Sequence, residues 1–219
     1  MQLQTITAMW REGSKMRPTS GRIAGVCAGT ALALGVAWGN SPAQAVAAAT
    51  SSKAITICHG YGCSFRTKLM LGAGDGQRFR SIMSAGASSP KAERAALARA
   101  VRYFDRRANE ATGFEDRPRT QVGKPERGQM DCVDESTNTR ALLLYLAERR
   151  LLKFHKVGRN VSRGFFLDGR YPHWTAVVVD PSGVKWVVDP WYARVGGAPD
   201  IIPYEQWKVR GQFGSGAPN

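Results

Sequence analysis

Leu97, Val101, Phe104 and Ala108 recur at steps of four, three and four, with Arg94, Arg99, Arg102 and Arg106 off that stripe. This is the period of a helix with one apolar face. Ser89 and Pro90 suit its N-cap and first turn, and Thr112-Gly113 its end. Residues 114–129 are polar and carry two prolines and two glycines, so a loop is expected there. A second helix is expected from Asp131, through the apolar run 141–146, to Leu151. Beyond it the period changes. Runs at 165–167, 175–179 and 184–188 are rich in Val and aromatic residues, separated by Asp-Gly and Asp-Pro-Ser-Gly turns. The last two runs predict a hairpin around Asp180-Pro181-Ser182-Gly183. Helices followed by an antiparallel sheet give an α+β fold class, and no internal repeat is evident.

The N-terminus follows a different logic. Residues 23–38 (IAGVCAGTALALGVAW) are apolar and uncharged, Arg17 and Arg22 precede them, and Ala43-Gln44-Ala45 follows. That order of positive, apolar and small residues is expected of a secretory signal peptide, here residues 1–45. Counted from Met16 the basic segment has an ordinary length, so Met16 is an alternative start. The apolar run falls short of the roughly 20 residues that span a bilayer, so cleavage is expected rather than retention as an anchor. An uncleaved signal would be the chain's one link to a membrane. A single domain at 46–219, periplasmic or secreted, is the expected product.

Composition narrows the classes. Hydrophobic residues make up 43% of the 219 and charged residues 22%, an ordinary balance for a folded domain, which argues against disorder. The formal charge is +14. Cleavage after Ala45 would remove Arg11, Lys15, Arg17 and Arg22 and the single acid Glu12, leaving a basic chain. The basic residues are scattered, with no aromatic-interleaved stripe, so nucleic acid is not an expected partner. Anionic cell-envelope polymers suit an exported basic chain better.

Cysteine arithmetic isolates one thiol. Cys27 lies in the signal, and Cys58 and Cys63 bracket His59-Gly60-Tyr61-Gly62 between β-rich flanks, a hairpin pattern. Two cysteines facing each other across it would form a disulfide in an oxidising compartment. The alternative is half a zinc site with His59 as third ligand, for which no second Cys-x-x-Cys or His pair is present. No metal or cofactor is expected. Pairing Cys58 with Cys63 leaves Cys132 alone, either buried and inert or reactive.

Cys132 falls at the predicted start of a helix, where unpaired N–H groups and the helix dipole favour a thiolate. His173 opens one predicted strand and Asp189 closes the next, so a tight hairpin brings them to the same end of the sheet. An Asp there can hold the imidazole by one nitrogen and leave the other for the thiol proton. This is nucleophile, base and orienter in the order Cys, His, Asp, and it suits acyl transfer from an amide through a thioester.

Asp131-Cys132-Val133-Asp134-Glu135, His173-Trp174-Thr175-Ala176-Val177 and Trp186-Val187-Val188-Asp189-Pro190 together resemble the transglutaminase-like superfamily, most closely its bacterial transglutaminase-like cysteine proteinases. The likeness runs from 128 to about 191. Trp174 follows His173 directly rather than one position later, and the Cys58 hairpin has no counterpart in the motif. The resemblance implies a papain-like α+β core, an exported enzyme acting on a peptide or protein, and Cys132, His173 and Asp189 as catalytic residues.

Around that trio, Gln129 is a candidate side-chain donor to an oxyanion, beside the backbone N–H of Cys132. Asp134, Glu135 and Asn138 fall on the first turns of the helix, suited to capping it or folding the preceding loop as much as to touching substrate. Trp174, Trp186 and Trp191 either wall a cleft or join the core. Two other functions compete. One is a catalytically inactive binding or scaffold domain of the same fold. The other is a cysteine-type cell-wall amidase, which would want a further His as orienter, whereas His59 and His155 lie away from the strands.

Overall fold

A computed structural model describes residues 52–120, 123–164 and 172–210. The segment 1–45 and the apolar run at 165–167 lie outside the described residues. The architecture is α+β, with antiparallel sheets and helices packed on them. β1 (Lys53–His59) and β2 (Phe65–Leu71) form a hairpin, paired from Lys53 opposite Leu71 to His59 opposite Phe65. Then come α1 (Ala73–Ser84), α2 (Pro90–Thr112) and α3 (Cys132–Glu148). The second sheet holds β3 (Lys156–Val157), β4 (Val161–Arg163), β5 (His173–Val179) and β6 (Lys185–Val188), with β5 paired to each of the other three. The short α4 (Tyr204–Val209) closes the described chain.

Local chemistry accounts for most boundaries. The Ser89 side chain accepts a hydrogen bond from the Ala92 N–H, Pro90 opens α2, and Gly113 ends it in the left-handed conformation at φ 79°. The turn between β5 and β6 is organised by the Asp180 carboxylate. It accepts from the backbone of Ser182 and Val184, the Ser182 hydroxyl and the Trp186 indole. α3 ends at Glu148, one turn short of Leu151. α1 has no counterpart in the expected elements, because Gly74 and Gly76 mask its first turn while Phe79, Ile82 and Met83 carry its apolar face.

The core explains why β5 reads as continuous apolar sequence. Ala176, Val178 and Val188 face a large cluster that includes Ile57, Phe79, Leu97, Phe104, Leu142 and Leu146. Val177 and Val187 face the other way, into a smaller cluster with Trp207 of α4. A strand buried on both faces loses its alternation. No helix among the described residues is long and apolar enough to cross a membrane.

Candidate active site

The first turn of α3 is doubly capped. Asp131 Oδ1 accepts from the N–H groups of Val133 and Asp134, at 3.0 and 2.9 Å. Asp134 Oδ2 reaches back to the Asp131 N–H, closing a capping box around Cys132, the first helical residue. The β1–β2 hairpin is then docked onto this turn. Cys58 and Cys63 form a disulfide. Between them the Tyr61 and Cys63 N–H groups donate to Asp134, and Gly62 N–H donates to Asp131. One turn further along α3, the Asn138 amide bonds both the N–H and the C=O of Cys58, each at 2.8 Å. Thus Asp134 and Asn138, four apart on one helix face, hold the disulfide loop.

The sheet supplies the second group of residues. Ala176 pairs with Val188 and Val177 with Val187, so Asp189 follows opposite Thr175, and His173 is its diagonal neighbour on the same face. Nε2 of His173 lies 2.8 Å from Oδ2 of Asp189. A carboxylate only accepts, so Nε2 carries the hydrogen and Nδ1 is left with a bare lone pair. Nδ1 is buried and has no hydrogen-bond partner. Asp189 is itself fixed by two more donors, the Trp207 indole N–H at 2.8 Å and the Trp191 backbone N–H at 3.3 Å. The His173 ring packs against Trp191, with centroids 4.5 Å apart.

Cys132 abuts the start of β5. Its Sγ is 4.0 Å from the Pro172 carbonyl oxygen, and the Trp174 backbone N–H hydrogen-bonds to it, so the sulfur touches the backbone on both sides of His173. No hydrogen bond joins Sγ to the imidazole. The thiol is 6% exposed, and burial pushes its pKa up to about 12, with Asp131, Glu135 and Asp189 adding to the rise and the Trp174 N–H opposing it. The helix start was expected to favour a thiolate. Desolvation and three neighbouring carboxyl groups outweigh the dipole here.

The remaining candidates separate cleanly. Gln129 is buried beside Cys132 in sequence, with its Nε2 donating to the Glu115 carbonyl and its Oε1 accepting from the Arg117 N–H. Its amide therefore ties down the loop before α3. Gly128, at φ 81°, brings the backbone against Phe114, where a Cβ would lie 2.1 Å from a side-chain carbon, and its N–H donates to His59 Nδ1. His59 Nε2 pairs with the Thr67 hydroxyl, so the two ring nitrogens join the hairpin to the loop before α3. With the two sulfurs joined and His59 so engaged, the three groups of the half zinc site are committed to other bonds. His155 pairs with Glu93 of α2, away from Cys132.

Of the three tryptophans, Trp191 packs on His173, Trp174 is 42% exposed, and Trp186 stacks under Arg94 at 3.5 Å. Glu135 lines a cavity of about 30 Å³ with Asp105 and Asp116, between α2, α3 and the segment after Asp189. Its Oε2 is buried without a partner and its pKa is raised well above the ordinary value by desolvation and by Asp116. Burial likewise lifts Asp105 and Asp116 to about 7. Desolvation first, and neighbouring carboxyls second, explain why these groups resist ionisation.

Sequence reasoning missed Trp207, Tyr192 and Arg163. Arg163 pairs with His173 across β4 and β5 and is buried over the Trp207 ring, donating to the Tyr192 hydroxyl and to the Trp207 carbonyl. The one available signal was a buried-sized aromatic in an otherwise polar C-terminal stretch, Tyr204-Glu205-Gln206-Trp207-Lys208. No known family, no curated protein and no solved structure matches this chain.

Proposed function

We propose that the chain is an exported thiol enzyme of papain-like, transglutaminase-like architecture that cleaves or transfers the acyl group of a peptide or glutamine-type amide. The observation that carries this is His173. Its Nε2 is tethered to Asp189, and its Nδ1 is a buried, unpartnered base on the strand segment that the Cys132 sulfur touches. In the first step Nδ1 takes the thiol proton as sulfur bonds to the amide carbonyl carbon. The Cys132 backbone N–H, at the helix N-terminus, faces the developing oxyanion. The imidazolium then protonates the leaving amine as the C–N bond breaks, giving a thioester. Water or a second amine attacks that thioester, and Nδ1 takes the incoming proton and returns it to the sulfur.

Catalysis needs the thiol and the imidazole to meet, and Sγ lies against the backbone of residues 172 and 174, on either side of His173. The thiol's high pKa favours one other function, a catalytically inactive binding or scaffold domain of the cell envelope. Incubating the purified chain with a complex peptide mixture and reading new termini by mass spectrometry separates the two. New termini that vanish in Cys132→Ala support the enzyme. Identical mixtures with and without the thiol would leave the binding domain.

A further inference from the structure

Several arginines among the described residues are held by carboxylates or carbonyls. Arg107 is held by Asp75 and Glu110, Arg117 by Glu126, Arg210 by Asp200, and Arg163 by backbone carbonyls and a phenol. Arg78, Arg99, Arg102 and Arg106 differ: all four are exposed and, among the described residues, none of them pairs with a carboxylate. They line one groove of about 220 Å³ between α1 and α2, floored by Ile82 and Tyr103. Arg99, Arg102 and Arg106 follow one stripe of α2 and span about 10 Å of its axis, at 1.5 Å per residue. Arg78 faces them from α1.

Neighbouring acids do not neutralise the groove. Asp75 lies behind it, bound by the Tyr103 hydroxyl at 2.6 Å and by Arg107. Asp105, next to Arg106 in sequence, lines the internal cavity instead. Arg102 is positioned by a hydrogen bond from its Nε to the Gly196 carbonyl, which leaves its terminal nitrogens for a ligand. Four like charges around a small space repel one another unless an anion joins them.

The charge density selects the anion. A carboxylate carries one charge and is matched by one guanidinium fork, whereas a phosphate carries up to two and offers three oxygens to several forks. Four guanidinium groups therefore match two or more adjacent phosphates better than a row of carboxylates. The concave surface and its buried Ile82 argue against a membrane face, which would present apolar side chains outward. We propose that this groove binds a soluble, compact polyanion with two or more adjacent phosphate groups, independently of any chemistry at Cys132.

Titration calorimetry of the full chain with inorganic tripolyphosphate, at about 0.15 M salt, tests the site. Tripolyphosphate should bind at least about tenfold more tightly than orthophosphate, and R78Q/R99Q should weaken it at least about tenfold, the loss expected for charge-assisted bonds. R66Q/K68Q, which removes the same charge from exposed positions on β2, should change it less than about twofold. Equal losses in both double variants, or no binding, would overturn the proposal. Hexaglutamate binding as tightly as tripolyphosphate would also overturn it, in favour of an acidic peptide. Vesicles bearing bisphosphorylated lipid that capture the chain while tripolyphosphate does not would replace the soluble ligand with a membrane one.

Discussion

Asp189 Oδ2 accepts two hydrogen bonds of 2.8 Å, one from Nε2 of His173 and one from the indole N–H of Trp207. The two bonds play separable parts. Asp189→Asn replaces an acceptor by a group that can donate, and frees the imidazole to adopt the other tautomer. Any peptide cleavage that depends on Cys132 should fall by about 10²- to 10⁴-fold. Trp207→Phe deletes the indole donor and part of a fully buried ring system, costing about 2–4 kcal/mol in urea unfolding with a smaller loss of rate. Wild-type turnover in Asp189→Asn would remove Asp189 from the site.

Asn138 sits between α3 and the hairpin, bonded to both backbone groups of Cys58. Asn138→Ala strands a buried N–H and C=O. A loss of about 2–4 kcal/mol in chemical denaturation is expected, against about nothing for an exposed change such as Thr137→Ala.

The disulfide closes a short loop, so its expected contribution is modest, about 2 kcal/mol by loop entropy. Cys58→Ser with Cys63→Ser should lower stability by that amount and also loosen the docking of Tyr61, Gly62 and Cys63 on Asp134 and Asp131. Hydrogen exchange at these three amides should accelerate in the double variant. Unchanged exchange would show that the aspartates hold the loop without the bond.

Asp105 and Asp116 titrate near 7 and Asp134 near 6, against an ordinary 3.8, mainly because burial penalises the charged form. Between these limits the folded chain holds more protons than the unfolded one. The stability associated with these three groups is full below the ordinary value and is lost as pH rises through 6 and 7. Asp75 and Glu93 act oppositely. Despite opposing desolvation, their hydrogen-bond partners hold their pKa below the ordinary value, so their contribution is lost in acid. The thermal midpoint should therefore peak near about pH 4 and decline up to about pH 7, with Asp105→Asn flattening the decline. A midpoint that rises from about pH 4 to about pH 7 would contradict this.

Legibility followed locality. The β5–β6 hairpin was readable because Asp180-Pro181-Ser182-Gly183 contains its own turn chemistry, and α2 because Ser89, Pro90 and Gly113 punctuate a clean apolar stripe. The same hairpin puts His173 and Asp189 at one end of the sheet from the sequence pattern. α1 was illegible because glycines interrupt a helix held mainly by packing of Phe79 and Met83. Trp207 was illegible because it joins Asp189 from 18 residues away, across an irregular connection. The state of Cys132 depends on its burial and on carboxyls from the start of α3 and the end of β6, which a helix-dipole argument does not see.

The most direct test of a Cys132–His173 pair is the pH dependence of iodoacetamide alkylation at Cys132, in the wild-type chain and in His173→Ala. Burial, reinforced by the neighbouring carboxyls, pushes the thiol up to about 12, so little thiolate would exist at neutral pH without a base. Proton transfer to Nδ1 requires a wild-type rate at pH 7 at least about tenfold above that of His173→Ala. Equal rates in the two chains, climbing only above about pH 9, would contradict the thiol-enzyme assignment and leave a buried, inert cysteine.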